Sequence, residues 1–585
     1  MSVFPIGISD FAELRENASI YVDKTMYFPM LKKTGKFLFC ARPSRFGKSL
    51  LLSSLEAFYS GRTELFKGLD AEEYMCSPGF VARPVIHLDM SGLGYWQTKT
   101  ELINSITEIL GKIAKRFNIS LNGSNYAQVF QNLLRDIRQA NGLRPVLLID
   151  EYDAPVITVA SEEKPIFNPN LLIDTRKVMQ TFYLQIKVAG NDIFRTFITG
   201  ISKYSRMGVF SQLNNLIDIS LESKFSALMG YTQYELEKYF APSITSTALK
   251  FKMSEESLLV KIKDYYDGFS FDGKNRLYNP FSILNFFHSQ KFENYWMESG
   301  SNSYIRKFLK DKAITTDQFQ GMEVGSVFAR SPGDIDATPP HGFLHQAGYL
   351  TLREGGKSGY TLSYPNIEVR ESIAKLFMEN ITFQSLGIDA VAAELSACLA
   401  SCDIPGMIPI FCQLFAGICH KDHRDASRSP VVRAIKKIIR KITDSDSFDD
   451  PVQNESAELV ETIEKSRGES FYRSLLQTCL WMAGAKVTPE KRENLGDLDL
   501  EAYYGRLTYV FELKMAKNAR GASAAARKGM DQIHERGYGL ASRDPIFVSL
   551  AFGKAEKNIV GCIFEKDGQE TVVEVERKTE RGAGG

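Results

Sequence analysis

The chain has 585 residues, of which 44% are hydrophobic and 24% are charged. This balance is typical of folded globular proteins and excludes a largely disordered or fibrous chain, while the length allows several domains. The formal net charge of +1 excludes a globally basic protein, so any surface for nucleic acid must be local.

The first 225 residues alternate short β-type runs with helical stretches, which is the pattern of a parallel sheet covered by helices. Candidate strands lie at residues 36–41, 84–89, 145–150 and 194–199. We therefore predict an α/β domain with a parallel sheet over residues 1–228.

A phosphate-binding motif follows the first candidate strand, where residues 42–49 read Arg-Pro-Ser-Arg-Phe-Gly-Lys-Ser. Phosphates need backbone N–H groups at a helix N-terminus, an ammonium group and a hydroxyl for Mg²⁺. Gly47, Lys48 and Ser49 supply these in order, with Lys48 expected to be an exposed loop ammonium. Because Arg42 stands where the consensus has glycine, this motif alone leaves open a helix cap with a chance Lys-Ser.

A second signal is the apolar run 146–149, which ends in Asp150 and Glu151. In P-loop enzymes the first acid at such a strand tip orients Mg²⁺ and the second polarises the attacking water. The order of candidate strands matches ATPases in which an extra strand separates the two motifs. Thr199, at the end of the candidate strand 194–199, and Ser202, just beyond it, are either sensors of the γ-phosphate or part of a strand-end turn.

The sequence thus predicts the parallel sheet of a P-loop NTPase for residues 1–228. It also predicts an ATP site with Mg²⁺ held by Ser49 and Asp150 and with Glu151 as the catalytic acid. The residues predicted to contact the nucleotide are Arg45, Phe46, Gly47, Lys48, Ser49 and Asp150.

The middle of the chain, residues 229–440, is predicted to be a mainly helical domain with one hairpin around residues 350–362. Within it, residues 433–441 alternate apolar and basic side chains at helical spacing, which indicates either a solvated helix face or a surface for nucleic acid. Residues 443–451 are polar and acidic and read as a linker.

The C-terminal part, residues 455–570, is predicted to be another α/β domain, with a helix near residues 466–483 before several strands and a further helix. Glu512 and Lys514 are two apart on one strand and therefore point the same way. Cleavage of phosphodiesters with a metal needs oxygen ligands and a nearby ammonium group. Asp499 and Glu512 would be the ligands and Lys514 the positioning group, although a Glu-x-Lys pair alone is common on exposed strands.

These motifs resemble, in order and along nearly the whole chain, a bacterial and archaeal family of AAA-ATPase-like proteins with a C-terminal PD-(D/E)XK nuclease domain. The quoted segments include Tyr21-Val-Asp-Lys-Thr, the loop 42–49, Ile149-Asp-Glu-Tyr-Asp-Ala-Pro, Tyr266-Asp-Gly-Phe-Ser-Phe, Tyr278-Asn-Pro-Phe-Ser and Phe511-Glu-Leu-Lys.

The resemblance implies a restriction-endonuclease-like fold for the C-terminal domain and makes Arg42 a family trait. It also implies that Glu469 is the acid on the preceding helix and that Gln532 belongs to the family's Gln-Ile motif. The chain departs from the family's Gly-Arg-x-Asp pattern, because Asp497 stands in the place of the arginine.

Together these features predict an ATP-dependent or ATP-gated nuclease that uses Mg²⁺ or Mn²⁺ and acts on DNA in preference to RNA. The alternative is a nucleotide-switched protein that binds nucleic acid or a partner without cleaving it. A homo-oligomer is conceivable, because Arg206 could act as an arginine finger across a subunit contact, although a surface arginine is the simpler interpretation.

The cellular compartment is inferred from what the sequence lacks. No apolar run approaches the roughly 20 residues needed to cross a bilayer, so no membrane association is expected. The N-terminus lacks the features of a signal peptide, and the eight cysteines show no paired spacing. We therefore expect a cytoplasmic protein with reduced thiols.

Overall fold

The computed structural model describes residues 4–17, 19–161, 169–201, 216–298, 319–325, 340–355, 359–382, 387–419, 469–493, 496–539, 542 and 544–575. These residues belong to two compact units. The first unit contains the described residues up to 298 together with 319–369, and the second contains those from Arg370 onward.

The first unit is built on a parallel five-stranded sheet with strand order β2-β3-β4-β1-β5. Its strands are β1 Phe37–Ala41, β2 Val85–Asp89, β3 Val146–Asp150, β4 Arg195–Gly200 and β5 Ile217–Asp218. The four predicted strands are confirmed to within a residue or so. An extra strand does lie between β1 and β3, but it is β4, which follows both motifs in the chain. The strand that the sequence places between the two motifs, 84–89, is β2 at the edge of the sheet.

Helices of the first unit flank this sheet or follow it in the chain. They are α1 Phe11–Glu16, α2 Tyr27–Thr34, α3 Lys48–Tyr59, α4 Glu72–Met75, α5 Lys99–Arg116, α6 Tyr126–Asn141, α7 Ala154–Ser161, α8 Pro169–Val188, α9 Gln233–Phe251, α10 Glu255–Tyr266, α11 Pro280–Ser289 and α12 Pro340–Gln346.

Several of these helices begin at side-chain caps that the sequence supplies. The Thr98 hydroxyl accepts the amide of Glu101 at the start of α5, and α9 begins with a reciprocal capping box between Thr232 and Glu235. Caps of this kind stabilise a helix by about 1 kcal/mol each, because they satisfy amides that have no partner within the helix.

The predicted middle domain, residues 229–440, is mainly helical where it is described, and it contains a small antiparallel sheet. Its strands, in the order β6-β8-β7, are β6 Glu323–Gly325, β7 Thr351–Glu354 and β8 Gly359–Ser363. The hairpin predicted around residues 350–362 is therefore confirmed. Residues up to 369 belong to the first unit and later ones to the second, and the predicted three-part division of the chain stays a prediction. Residues 433–441 and 443–451 lie outside the described residues.

The second unit carries a six-stranded mixed sheet in the order β14-β13-β12-β11-β10-β9, in which β11 and β12 are parallel and the other pairs antiparallel. The strands are β9 Lys486–Glu493, β10 Gly496–Tyr504, β11 Leu507–Ala516, β12 Pro545–Gly553, β13 Asn558–Lys566 and β14 Gln569–Val573. The remaining helices, of which the first contains the boundary between the units, are α13 Ile367–Thr382, α14 Ile388–Ser401, α15 Ile404–Cys419, α16 Glu469–Met482 and α17 Ala522–Arg536. This succession of helix, strands and helix matches the predicted C-terminal α/β domain.

Among the described residues, no helix combines the length and apolar character needed to cross a membrane. The cysteine side chains that the structure describes are free thiols, as expected.

Arg42 directly follows β1 and is buried, with only 1% of its surface exposed. Its guanidinium donates to the backbone carbonyls of Ala41 and Ser220 at 2.8 Å and of Phe225 at 3.2 Å. It also stacks 3.9 Å from the centroid of the Phe271 ring. The arginine at the consensus glycine position therefore fastens the end of β1 to the segment after β5.

We predict that Arg42→Gly, although it restores the consensus glycine, lowers the free energy of unfolding of the first unit by about 3 kcal/mol, because buried carbonyls lose their charged donor. Thermal or denaturant unfolding would measure this, with Lys112→Ala at an exposed position as the control. Equal stability of Arg42→Gly and the wild type would show that the hydrogen bonds of Arg42 do not stabilise the first unit.

Candidate functional sites

The first candidate site is the loop between β1 and α3. Arg45 and Gly47 have φ angles of 67° and 91°, in the left-handed region that favours glycine. A Cβ atom at Gly47 would meet no atom within 4 Å, so the loop backbone borders open space. Lys48 begins α3, and the partial positive charge of the helix N-terminus faces the same loop. The loop thus offers the geometry that an anionic group requires.

The Lys48 ammonium lies between this loop and the carboxyl end of β3. Its Nζ is 3.2 Å from the Pro43 carbonyl oxygen and 3.3 Å from Glu151 Oε1. Only 3% of the Lys48 side chain is exposed, so the expectation of an exposed loop ammonium was wrong. The carboxyl end of β3 covers this side chain, because Glu151 comes to the loop to form the ion pair.

The two acids at the end of β3 occupy different environments. Asp150 is buried, and burial raises the pKa of its carboxyl, whereas a hydrogen bond with the Ser49 side chain acts in the opposite direction. Glu151 is one-quarter exposed and has a φ of 46°. A left-handed glutamate costs about 1 kcal/mol or more, and such strain often marks a functional position. The structure thus brings together Lys48, Ser49, Asp150 and Glu151, as the sequence predicted.

A cavity of about 420 Å³ opens beside the loop, which is within the size range of small-molecule sites. Its walls come from segments far apart in sequence, namely residues 5–9, 20–22, 24, 44–51, 54, 151, 228–231, 280–281 and 284, together with Leu14. The sequence did not predict that residues 5–9, 280, 281 and 284 line this cavity, because no local motif indicates a wall formed by distant segments.

Three residues of the Tyr21-Val-Asp-Lys-Thr segment lie at or next to this cavity. Tyr21 and Lys24 line the cavity, and the Lys24 ammonium pairs with Glu235 at 2.6 Å. Asp23 instead accepts hydrogen bonds from the amides of Thr25 and Asp70, both at 2.8 Å. The segment therefore lines the cavity and also binds the backbone at residue 70.

The remaining predicted contacts of the loop are held by aromatic rings. The Arg45 guanidinium lies 4.3 Å from the centroid of the Phe281 ring. Phe46 is buried, with its ring centroid 5.0 Å from that of Phe269 and 5.4 Å from that of Phe271. Both residues contribute to the cavity wall.

Thr199 donates its hydroxyl to the Cys40 carbonyl at 2.8 Å, which favours the strand-end interpretation over that of a phosphate sensor. Ser202 and Arg206 lie outside the described residues.

The second candidate site lies on the neighbouring strands β10 and β11. Their register pairs Leu500 with Phe511, so Asp499 and Glu512 lie at the same level of the sheet. Asp499 Oδ2 accepts the amide of Leu513 at 2.9 Å. The Lys514 ammonium lies 2.7 Å from Glu512 Oε1 and 3.9 Å from Glu469 Oε1 on α16. Four of the five residues predicted for this site are therefore close together.

Glu512 is the most perturbed acid of this cluster. Its side chain is 2% exposed, and Oε2 is buried without a hydrogen-bond partner in the described part of the chain. Burial, with a smaller contribution from the charge of Asp499, raises the pKa of Glu512 to about 7. An unpartnered, buried carboxylate oxygen beside a second carboxylate fits a divalent cation. However, the described residues contain no group of three or more His, Cys, Asp or Glu side chains arranged around a metal position.

Arg473 belongs to this cluster and was missed by the sequence reasoning. It lies one helical turn after Glu469 on α16, and its Nη1 is 3.3 Å from Asp499 Oδ1. The i, i+4 spacing of Glu469 and Arg473 places both on one face of the helix, and this was the available signal. Burial raises the pKa of Glu469, while Lys514 and Arg473 act in the opposite direction.

Gln532 is half-buried on α17, one turn after Gly529. A Cβ atom at Gly529 would collide with Ser549 Oγ and lie 3.3 Å from Lys514 Cγ, so the glycine allows α17 to approach the strands closely. Helical spacing puts Gln532 on the same side as Gly529. Within the described residues no hydrogen bond joins Gln532 to the other predicted residues, and its role stays a prediction.

Comparison with known proteins matches the two regions to two families. Residues 5–210 match the family described as "Predicted AAA-ATPase", and residues 467–559 match the PD-(D/E)XK nuclease superfamily. The chain is also 28% identical over 575 residues to an "Uncharacterized protein in vnfD 5'region" of Azotobacter chroococcum mcd 1, covering 96% of this chain and 99% of that protein.

We predict that Mn²⁺ binding to the second site weakens about tenfold between pH 8 and pH 6, because a proton competes for a Glu512 carboxyl whose pKa is about 7. Glu512 is protonated below that pH and must lose the proton to become a ligand. Calorimetry without nucleotide would measure the affinity. Glu512→Gln should bind Mn²⁺ weakly at both pH values, and a wild-type affinity independent of pH would contradict the prediction.

Proposed function

Because the chain carries an AAA-ATPase-like domain at residues 5–210 and a PD-(D/E)XK nuclease superfamily domain at residues 467–559, we propose that it is an ATP-gated, metal-dependent nuclease acting on DNA. RNA is the less favoured substrate. Nucleotide binding and hydrolysis in the first unit would control cleavage in the second.

The observation that carries the proposal is the buried Glu512 carboxylate, which has an unpartnered oxygen, lies level with Asp499 and sits two residues before Lys514. Burying a carboxyl group without full hydrogen bonding costs stability. Groups perturbed in this way by burial and neighbouring charge are concentrated at functional sites.

In the second site, Asp499 and Glu512 would hold Mg²⁺ or Mn²⁺, which supplies charge neutralisation at a phosphodiester. Lys514 would position the attacking water or stabilise the charge that develops on the phosphate. Glu469 lies within reach of Lys514 and would orient its ammonium, and Gln532 would contribute from α17. Arg473 would hold the Asp499 carboxylate in place from α16.

In the first site, Lys48 would contact the phosphates of ATP, and Ser49 and Asp150 would hold Mg²⁺. Arg45, Phe46 and Gly47 would complete the loop around the phosphates. Phosphate oxygens would compete with Glu151 for the Lys48 ammonium, so nucleotide binding would free the Glu151 carboxylate to polarise water. The 3.3 Å ion pair between Lys48 and Glu151 supports this exchange.

We predict that Lys48→Ala abolishes ATP binding, because the ammonium is the cation of the phosphate loop, and that Glu151→Gln binds ATP but hydrolyses it at least about tenfold more slowly. Binding of a fluorescent ATP analogue and steady-state phosphate release would measure the two effects. Lys67→Ala, at an exposed position, is the matched control. Since Lys48 is buried, thermal unfolding of Lys48→Ala must first show a folded protein.

Unchanged ATP affinity in folded Lys48→Ala would refute the phosphate-loop assignment. Unchanged turnover in Glu151→Gln would remove Glu151 from the catalytic role.

We predict that Asp499→Ala and Lys514→Ala each abolish Mg²⁺-dependent cleavage of plasmid and single-stranded DNA, while ATP hydrolysis without nucleic acid stays near that of the wild type. Asp499→Ala should also weaken Mn²⁺ binding, because it removes a ligand. Lys514→Ala should retain Mn²⁺, because it removes the cation that Glu512 holds now. Lys517→Ala, at an exposed position directly after the end of β11, is the control.

A wild-type protein that cuts neither DNA nor RNA, with either metal and with ATP, would instead support a nucleotide-switched binding protein without cleavage activity. Normal cleavage by both variants would place any activity elsewhere in the chain.

A further inference from the structure

A row of cations lies at the amino ends of the strands in the first unit, at the edge of the sheet opposite the loop that follows β1. Lys36 precedes β1 directly, Arg83 and Arg144 come two residues before β2 and β3, and Arg195 begins β4. Parallel strands start at the same end of a sheet, so these four residues all lie at the end where the strands begin. None of them was used in either candidate site.

The sheet order sets these residues in line. Since the strands run β2-β3-β4-β1, the cations follow one another as Arg83, Arg144, Arg195 and Lys36. Neighbouring strands are about 4.8 Å apart, so the row extends over roughly 14 Å. A nucleic-acid strand presents one phosphate for about each 3.4 Å along the helix axis, and the row can therefore face several phosphates.

The charge of the row is not neutralised within the described residues. No ion pair is formed there by Lys36, Arg83, Arg144 or Arg195. The charge of Asp192 raises the pKa of Lys36, but this carboxylate is already paired with Arg138 at 2.7 Å.

Burial, and after it the charge of Arg144, lowers the pKa of both Lys36 and Arg83. Like charges thus remain crowded together, and this arrangement favours an external anion as the partner.

The row is also held in place. The Arg83 guanidinium stacks 3.7 Å from the centroid of the Phe194 ring. Arg195 donates to the backbone carbonyls of Leu31, at 2.9 Å, Lys32 and Gly35, which fixes it beneath the surface. Arg144 is exposed at the middle of the row. A surface ordered before binding loses little side-chain entropy when a ligand arrives.

We propose that this row, formed by Lys36, Arg83 and Arg144 over Arg195, binds the phosphate backbone of nucleic acid without reading its bases. The guanidinium fork matches the geometry of phosphate oxygens, and a row of cations matches a polymer that carries a charge on every unit. The surface extends the proposed function, because it gives the ATPase-like unit its own contact with the substrate. It requires neither ATP nor a metal.

The test is fluorescence anisotropy with a short labelled DNA duplex, in EDTA and without nucleotide, over a series of salt concentrations. Relative to the wild type, the double variant Arg83→Gln/Arg144→Gln should bind about tenfold more weakly, and the slope of log affinity against log salt should fall by about 2. Arg144→Gln alone, which disturbs no stacking contact, should reduce the slope by about 1. Lys99→Gln/Lys250→Gln, at exposed positions outside the row, is the charge-matched control.

Unchanged affinity and slope in the folded double variant would overturn the proposal, whether or not the wild type cleaves DNA. A labelled polyaspartate that binds as tightly as DNA and loses binding in the same variant would also overturn it, in favour of an acidic protein partner. Because metal and nucleotide are absent, failure of cleavage or of ATP hydrolysis does not affect the result.

Discussion

The first unit depends on the buried guanidinium of Arg42. An arginine remains charged even when buried, so it is stable there only if its donors find acceptors. Its Nη1 and Nη2 donate to three backbone carbonyls and the guanidinium lies against the face of Phe271, whereas Nε has no hydrogen-bond partner among the described residues. These hydrogen bonds hold the end of β1 beside the segment that follows β5. The loop that contains the left-handed Gly47 and the ion-paired Lys48 begins directly after this arginine.

Both candidate sites share one electrostatic arrangement. In each, a lysine ammonium is held by the glutamate of the same site, Lys48 by Glu151 and Lys514 by Glu512. A cation paired in this way lowers the cost of keeping the neighbouring acid poorly solvated. The acid is almost fully buried in one pair and one-quarter exposed in the other, so this compensation matters most for Glu512.

The strands and the motif residues could be predicted from the sequence because their signals are local. Short continuous apolar runs such as 146–149 are typical of buried parallel strands, and alternation along β11 puts Glu512 and Lys514 on one side. The bracing role of Arg42, the burial of Lys48 and the contact of Arg473 with Asp499 could not be predicted, because each depends on groups that tertiary folding brings together. The contribution of residues 5–9 to the cavity wall could not be predicted for the same reason, since a cavity wall has no periodicity.

The cavity beside the loop limits how this chain could exchange modules with other proteins. Its wall combines residues 5–9 at the start of the chain with residues 280–284, far beyond the end of the segment that matches the ATPase-like family at residue 210. A recombination event near residue 228 would carry the whole parallel sheet into a new host and leave part of the cavity wall behind. A descendant can therefore keep the complete cavity wall only if it inherits both parts of the chain together.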